Sequence, residues 1–431
     1  MNLAFIVKTP TLISSLAVLL LAPHHPLSAM EAETPQALAI TDMPSPATHA
    51  NDTLPYLTTE DGQLFMSWVR TDDPSSGHTT MYWSRWNGKT WADPQKIVSH
   101  ADMFVNWADF PKIALNGKLV AAAWPQMLGS GTYAYGLRLA VSRNGGETWQ
   151  DPIWLHTDTS PTEHGFVSMA PLADGTLAAA WLDGRAMGAA GHGGGGHDHH
   201  GEGSMHLLYR TIGLEGLGPE QTLDERTCEC CNTAIATRDR DVWVAYRDRS
   251  DGEIRDIVVT HRTDTGWSTP RAAQKDDWKI MGCPVNGPAL AARGQNLALA
   301  WFTAKGQPQI KLALSTDGGR QFRVADSLED GVIGRVDVRL TPTNEVILLW
   351  VAEKDGRQQP RIAGWNLTGR KLWGPIGLDS IPTGRGGGFP RLAMTTSHLF
   401  IGQRATEGKG VRVMALPLDR GKITAPKKKA E

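Results

Sequence analysis

The 431-residue chain has little net charge of either sign, since 43 lysines and arginines stand against 45 aspartates and glutamates. A nearly neutral chain offers no broad basic surface, so we expect neither nucleic acid nor an anionic membrane as a partner. Long apolar runs are also scarce, and none beyond residue 30 reaches the ~20 residues that a membrane-spanning helix needs. With 41% hydrophobic and 20% charged residues, the composition is typical of a globular protein.

The one early apolar run is too short to span a bilayer. Lys8 precedes it, the run itself is Leu12–Ala22, and the small residues Ser28 and Ala29 follow. A positive charge, a short apolar segment and a small-residue cleavage site are typical of a secretory signal peptide, here residues 1–29. We therefore expect export to the periplasm or the extracellular space; a buried N-terminal helix is the alternative. Export implies an oxidising compartment, in which disulfides form.

Cysteine is rare, but the few cysteines are unevenly placed. Three of the four stand within four positions, at Cys228, Cys230 and Cys231, and the fourth, Cys283, lies well along the chain. Four cysteines in an exported protein can form disulfides in three pairings. Thiolates that lie close together can instead bind a soft metal ion. The choice depends on whether the fold brings the fourth cysteine to the other three.

The chain repeats one unit seven times: a short strand, a turn that often holds Gly or Asn, and a second strand that ends in an aromatic residue. The closing residues are Trp68, Trp124, Trp181, Tyr246, Trp301, Trp350 and, degenerately, Gln403. Alternation with a period of two excludes helical repeats. Recurrence at 49 to 65 residues predicts an all-β repeat array such as a β-propeller. Seven copies predict seven four-stranded blades.

A second motif lies between the third and fourth strands of some repeats. Ser142–Trp149 (SRNGGETW) and Ser315–Phe322 (STDGGRQF) carry it, and Ser84–Trp91 is a weaker copy. These segments resemble the Asp box, Ser-x-Asp/Asn-x-Gly-x-x-aromatic, of the sialidase-like (BNR-repeat) β-propellers, and the resemblance covers essentially the whole mature chain. Sialidases have six blades, so six is the alternative to seven. The Asn or Asp of such a box binds the turn backbone and the aromatic packs between blades, so it indicates fold and not activity.

The last repeat has no clear fourth strand. We expect Gln36–Ile40 to supply it and to close the ring, which leaves no exposed sheet edge. The expected organisation is an N-terminal strand and linker over residues 30–53, a β-propeller over residues 54–420, and a basic tail without fixed structure over residues 421–431.

The repeat topology predicts where the cysteines meet. In such a propeller, the loops that enter inner strands and the loops between second and third strands share one face. Cys228, Cys230 and Cys231 precede the inner strand of repeat four, and Cys283 precedes that of repeat five. Neighbouring blades should therefore bring the four thiols together at the mouth of the channel.

The same face should carry a Gly-rich insertion, Asp183–His206, between the second and third strands of repeat three. Its histidines are His192, His197, His199, His200 and His206. Thiolates with imidazoles suit copper or zinc, and nearby methionines favour copper. We expect the four cysteines and five histidines to bind a transition-metal ion. Disulfides that join two blades are the alternative, and a solvated insertion is the alternative for the histidines.

The family resemblance implies an exo-glycosidase with three arginines, a Tyr–Glu nucleophile pair and an Asp acid/base. This set does not carry over, because Thr53–Leu57 of the first repeat has no arginine and Tyr56 is the only inner-strand tyrosine. Charged residues at the mouth still suit a small anionic ligand: Asp183, Arg185, Arg247, Asp248, Arg335 and Arg391. For most of these arginines the alternative is an ion pair between blades, such as Arg247 with Asp256.

The sequence thus predicts an exported β-propeller that binds copper or another transition metal on its Cys/His face, and favours a role without catalysis. A sialidase-type glycosidase with an altered mouth is the first alternative. An interaction scaffold held by disulfides is the second.

Overall fold

Seven antiparallel sheets account for most of the described chain. The computed structural model describes residues 40–73, 77–187, 203–406 and 408–418. These residues form thirty β-strands and one short 3-10 turn, Gly384–Gly387. Each sheet is one four-stranded blade of a ring, so the prediction of a seven-bladed β-propeller is confirmed. No helix in these residues has the length and apolar character needed to cross a membrane.

The strands run through the blades in chain order. β1 is Thr41–Met43. Blade 1 contains β2 (Asp52–Glu60), β3 (Gln63–Asp73), β4 (His78–Trp86) and β5 (Gln95–His100). Blade 2 contains β6 (Lys112–Asn116), β7 (Leu119–Met127), β8 (Tyr135–Ser142) and β9 (Ile153–Trp154). Blade 3 contains β10 (His164–Pro171), β11 (Leu177–Asp183), β12 (Met205–Gly213), β13 (Gly216–Leu217) and β14 (Gln221–Thr227).

Blade 4 contains β15 (Ala234–Arg238), β16 (Asp241–Arg247), β17 (Ile257–Thr263), β18 (Gly266–Trp267) and β19 (Arg271–Ala272). Blade 5 contains β20 (Ala289–Arg293), β21 (Asn296–Thr303), β22 (Gln309–Ser315) and β23 (Arg323–Leu328). Blade 6 contains β24 (Val332–Leu340), β25 (Val346–Lys354), β26 (Arg357–Trp365) and β27 (Lys371–Gly377). Blade 7 contains β28 (Arg391–Met394), β29 (His398–Arg404) and β30 (Val411–Pro417). In blades 3 and 4 the outer strand is split into two short pieces.

The second strand of a blade is buried on both faces. In β7, Val120, Ala122 and Trp124 belong to one core cluster, whereas the alternating Ala121 and Ala123 belong to another. Successive side chains of a strand point to opposite faces, so the two clusters lie on the two sides of the blade. The recurring pattern of small residues with one closing tryptophan therefore fills the spaces between blades.

The ring is closed by contacts between inner strands and by β1. Each inner strand, from β2 to β28, contacts the inner strand of both neighbouring blades. β1 supplies the outer strand of blade 7, with Thr41 opposite Ala415 and Met43 opposite Val413. The N-terminal segment thus closes the ring, but the closing strand begins one residue after the predicted Gln36–Ile40. Ile40 is outside any strand, and residues 36–39 lie outside the described part of the chain.

Two Asp boxes have the expected local bonding. Ser142 Oγ contacts Asn144 Oδ1 at 2.8 Å, and Asn144 Oδ1 accepts a hydrogen bond of 3.0 Å from the backbone of Thr148. Gly146 has φ of +89° and lies against Trp83 of the preceding blade. Trp83 in turn packs edge-on against Trp149, with ring centroids 5.8 Å apart. The box therefore joins neighbouring blades.

Candidate metal centre at the mouth of the channel

Three cysteines form a compact sulfur cluster in the loop between β14 and β15. Cys228 and Cys231 are buried and Cys230 is half-buried. Sγ of Cys228 lies 3.0 Å from Sγ of Cys231, and the three sulfurs all lie within 4.8 Å of one another. A single metal ion binds thiolates that lie this close together. None of the four cysteines, all of which are described, is in a disulfide.

The fourth cysteine reaches this cluster from the next blade. Cys283 is half-buried in the loop that leads into β20, and its thiol is close enough to that of Cys230 to raise the pKa of the Cys230 thiol. The two thiols also line one cavity of about 160 Å³. The repeat topology thus places the fourth thiol in one cavity with Cys230, but Cys283 is not among the cysteines whose sulfurs lie within 4.8 Å of one another.

Arginine side chains make the base of the sulfur cluster electropositive. Arg255 Nη1 lies 3.5 Å from Cys228 Sγ. Burial raises the pKa of the Cys228 thiol, but hydrogen bonds from Cys230 and Cys231 and the charges of Arg255 and Arg247 outweigh burial and hold that pKa well below its usual range. Burial and the hydrogen bond with Cys228 raise the pKa of both Cys230 and Cys231. Of the three thiols, that of Cys228 therefore loses its proton most readily.

A ring of four alternating charges fixes the cysteine loop. Arg255 Nη1 is 2.7 Å from Glu229 and Arg255 Nη2 is 2.9 Å from Glu253. Arg249 bridges the same two carboxylates, at 2.7 Å from Glu253 and in a close contact with Glu229. All four side chains are almost fully buried. Their opposite charges therefore compensate one another in a site with little access to water. Glu229 stands between Cys228 and Cys230, and this ring therefore holds the loop that presents the sulfurs.

The first part of the histidine-rich insertion contributes one residue to the cavity beside the thiols. Met187 lines the cavity together with Cys230 and Cys283. Four of the predicted metal ligands lie outside the described residues: His192, His197, His199 and His200. His206 lies on β12 opposite Asp183 and is half-buried. It does not belong to the group of described ligand atoms within 4.8 Å.

Asp183 and Arg185 are engaged with other protein groups. Asp183 is buried and accepts hydrogen bonds from Trp181 Nε1 at 3.0 Å and from Arg185 Nε at 2.7 Å. His164 Nδ1 lies 3.2 Å away. Burial raises the pKa of Asp183, but the hydrogen bond from Arg185 and the neighbouring His164 side chain outweigh burial and lower it far below its usual range. Arg185 also pairs with Glu220 at 3.0 Å. Asp158, His164 and Asp183 lie within metal-binding distance, yet the Asp183 oxygens already accept these bonds.

Arg247 is fully buried and binds carbonyl oxygens rather than a carboxylate. Its guanidinium donates to the backbone of Asn286 at 2.8 and 3.1 Å, of Arg255 at 2.6 Å and of Phe302 at 2.7 Å. The alternative ion pair with Asp256 is absent, because the Asp256 carboxylate accepts hydrogen bonds from the backbone N–H groups of residues 277 and 278. The positive charge of Arg247 is therefore not neutralised by a carboxylate in an ion pair, and it contributes to the lowered pKa of the Cys228 thiol.

Of the remaining predicted ligand residues, Asp248 is half-buried and Arg335 is buried. Burial raises the pKa of Asp248 to about 6. Arg335 donates hydrogen bonds to Gln358 at 3.2 Å and to the carbonyls of Gly384 and Gly388, and burial lowers its pKa to about 10. Arg391 differs from them, because it lines the central channel.

The structure also contains a hydrogen-bonded Tyr–Glu pair whose tyrosine lies outside the inner strands. Tyr135 Oη donates a hydrogen bond of 2.7 Å to Glu163 Oε1, and both side chains are buried. Burial, together with the charge of the nearby Asp109, raises the pKa of Glu163 to about 8. Burial also raises the pKa of Asp109 itself, to about 6. Tyr135 begins a third strand, so the repeat pattern gives no signal for it. Glu163 lines the thiol cavity, whereas Tyr135 does not.

Several solved structures are similar to this chain in fold. Similar structures include a polysaccharide lyase described as an ulvan lyase, at 10% identity and a TM-score of 0.52, covering 88% of this chain and 95% of that chain. The NanB sialidase from Streptococcus pneumoniae is similar at 14% identity and TM-score 0.44, covering 86% and 69%. An α-L-arabinanase from Penicillium chrysogenum is similar at 13% identity and TM-score 0.44, covering 89% and 98%. No protein-family model and no curated protein sequence matches the chain. At these identities the likeness concerns the fold alone, and that fold is a β-propeller.

Proposed function

We propose that this protein binds a soft transition-metal ion through the thiolates of Cys228, Cys230, Cys231 and Cys283. The observation that supports the proposal is the gathering of three sulfurs within 4.8 Å, with the fourth thiol in the cavity that Cys230 also lines. Cu(I) and Zn(II) both prefer thiolate ligands. Two nearby guanidiniums, of Arg247 and Arg255, offset the negative charge that several thiolates leave on a complex with one ion.

Copper is the preferred ion because of Met187. Its thioether lines the same cavity as the thiols of Cys230 and Cys283. Thioether sulfur is a usual ligand of Cu(I) but not of Zn(II), which takes thiolate, imidazole and carboxylate. The histidines of the insertion follow Met187 in the sequence, and Met187 lines the thiol cavity. The proposal therefore includes their imidazoles as groups that capture the ion. Export to an oxidising compartment is part of the same proposal, and bound metal would protect the thiols there from oxidation.

The test compares metal affinity and thiol state in matched variants. The full chain is purified without added reductant, and its bound metal and titratable thiols are measured. Cu(I) affinity is then determined under reducing conditions by competition with a chromogenic chelator. We expect Cys230→Ser and Cys283→Ser to weaken Cu(I) binding by at least about tenfold, the effect of losing one thiolate ligand. Met187→Leu should weaken Cu(I) binding and leave Zn(II) binding unchanged.

Met281→Leu is the matched control, because Met281 is exposed and does not line the cavity. Protein without titratable thiols, together with unaltered Cu(I) affinity in the cysteine variants, would contradict the metal proposal and support disulfides that join blades 4 and 5.

Glycoside hydrolysis is the second candidate function, and the Tyr135–Glu163 hydrogen bond supports it. A sialidase-type site uses such a pair as its nucleophile. Metal binding is preferred because Tyr135 does not line the cavity from which a substrate would be attacked. Release of the fluorophore from a fluorogenic sialoside, lost in Tyr135→Phe, would favour hydrolysis instead.

A further inference from the structure

The central channel contains a second cavity, separate from that of the thiols. Its volume is about 420 Å³, and residues of all seven inner strands line it. It has no lining residue in common with the thiol cavity. This volume lies within the roughly 300–1,000 Å³ of small-molecule sites.

One cation in this cavity lacks hydrogen-bond partners. No described residue accepts a hydrogen bond from the Arg391 guanidinium; its Nε lies 3.4 Å from Asp337 Oδ2, in an ion pair without hydrogen-bond geometry. Asp337 is occupied by other donors: it accepts hydrogen bonds from the backbone of Leu392 at 2.9 Å and from Arg339 at 2.6 Å. The Arg391 guanidinium is held instead over the ring of Tyr56, 5.4 Å from its centroid. Its position is therefore fixed while its donors stay available.

A second cation lies beside it. The Lys112 side chain is buried, and its Nζ donates to Val167 O at 2.5 Å and Asn232 Oδ1 at 3.1 Å. An ammonium has three N–H groups, so one remains. Lys112 Nζ lies 4.8 Å from the ring centroid of Phe110, and the Arg391 guanidinium lies 5.8 Å from the same centroid. Burial, and then the charge of Arg391, lower the pKa of Lys112 to about 7.

The charges around this pair do not balance. Below about pH 7, Lys112 is cationic together with Arg339 and Arg391, and the carboxylates that act on these three groups are those of Asp337 and Asp109. An anion between Lys112 and Arg391 would supply the missing negative charge in a site where charge interactions are weakly screened.

We infer that the channel binds a small organic oxyanion, a carboxylate or a phosphate, through the guanidinium of Arg391 and the ammonium of Lys112. A guanidinium with available donors binds either group in bidentate fashion. The rings of Tyr56 and Phe389 line the same cavity and would contact the uncharged part of the molecule. This inference is independent of the metal proposal, because none of its residues lines the thiol cavity.

The experiment measures anion binding to the folded full-length protein by calorimetry at low ionic strength, with acetate and inorganic phosphate as separate probes and chloride as the reference salt. We expect at least one probe to bind, and the probe with the lower Kd identifies the class of oxyanion. Arg391→Gln should raise its Kd by at least about tenfold, the usual loss for a charge-assisted hydrogen bond. Because Arg391 makes no hydrogen bond with a described residue, this variant should fold.

Arg361→Gln is the matched control, since Arg361 pairs with Asp330 and does not line the cavity. Lys112→Met should also weaken binding, and if it does not fold, Arg391→Gln alone decides. Cys230→Ser should leave anion binding unchanged, which separates this site from the metal site. Failure of both probes to bind wild-type protein at millimolar concentration, or equal binding by Arg391→Gln, would overturn the inference.

Discussion

At the scale of single residues, the positions of the cysteines follow from the repeat, but the partners of the charged residues do not. The repeat places Cys283 one blade after Cys228, and adjacent blades bring their entry loops together. Arg247 instead binds carbonyl oxygens of residues 255, 286 and 302, which belong to other loops and strands. Such contacts depend on side-chain packing, and no sequence period encodes packing. For the same reason the Tyr135–Glu163 pair was found only in the structure.

Glu163 gives a prediction about pH. Burial raises its pKa from 4.5 to about 8, so between those values the folded protein holds a proton that the unfolded chain releases. This contribution to the free energy of unfolding is complete below the unfolded pKa and is lost as the pH rises toward 8. Gln carries no charge and still accepts the hydrogen bond from Tyr135. We therefore expect metal-free Glu163→Gln to match wild type near pH 4.5 and to exceed its stability at pH 8, by on the order of 2–4 kcal/mol.

Thermal or denaturant unfolding at several pH values measures this difference. Glu215→Gln is the control, since Glu215 is exposed in the loop between β12 and β13 and should show no such trend. A Glu163→Gln variant whose stability runs parallel to that of wild type from pH 4.5 to 8 would show that the Glu163 carboxyl has an ordinary pKa.

At the scale of strands and turns, the sequence carries most of the information. Alternation in the second strands and their closing aromatics correctly predict the inner and second strands of every blade. The outer strands are harder to predict, because β9, β13, β18 and β19 each have two residues and show no periodicity. The Asp box is also predictable, since its Ser, Asn or Asp and Gly positions each have a local bonding role.

Two adjacent glycines of one Asp box give a matched test of its role between blades. Both have positive φ, +73° at Gly145 and +89° at Gly146. A Cβ at Gly146 would lie 2.0 Å from the ring of Trp83, whereas a Cβ at Gly145 would meet nothing within 4 Å. Gly145→Ala should cost only backbone strain, about 1–2 kcal/mol. Gly146→Ala adds the displacement of a buried tryptophan, so its total cost should reach about 3–5 kcal/mol. Equal losses in denaturant unfolding would mean that the contact between blades contributes nothing.

At the scale of the whole molecule, ring closure decides where every site lies. The sequence predicts closure by the N-terminal segment, but not the exact strand, because a strand of three residues is too short for a period of two to be recognised. Closure keeps all seven blades in one ring, among them blades 4 and 5 with their cysteine loops. It also holds the inner strands of blades 2 and 7 on one channel, where Lys112 and Arg391 contact the ring of Phe110.

Removal of β1 tests closure directly. A chain that begins at Ile40 keeps the three pairs between β1 and β30 and the bidentate contact of Asp42 with Arg412. A chain that begins at Pro44 loses both and leaves the edge of β30 unpaired. We expect the shorter chain to unfold at lower temperature, with a loss of about 1–3 kcal/mol, and to self-associate through the open edge. Light scattering and thermal unfolding of the two chains measure both effects. If the chain from Pro44 stays monomeric and equally stable, the seven blades hold the ring closed without β1, and the thiol and channel sites do not depend on that strand.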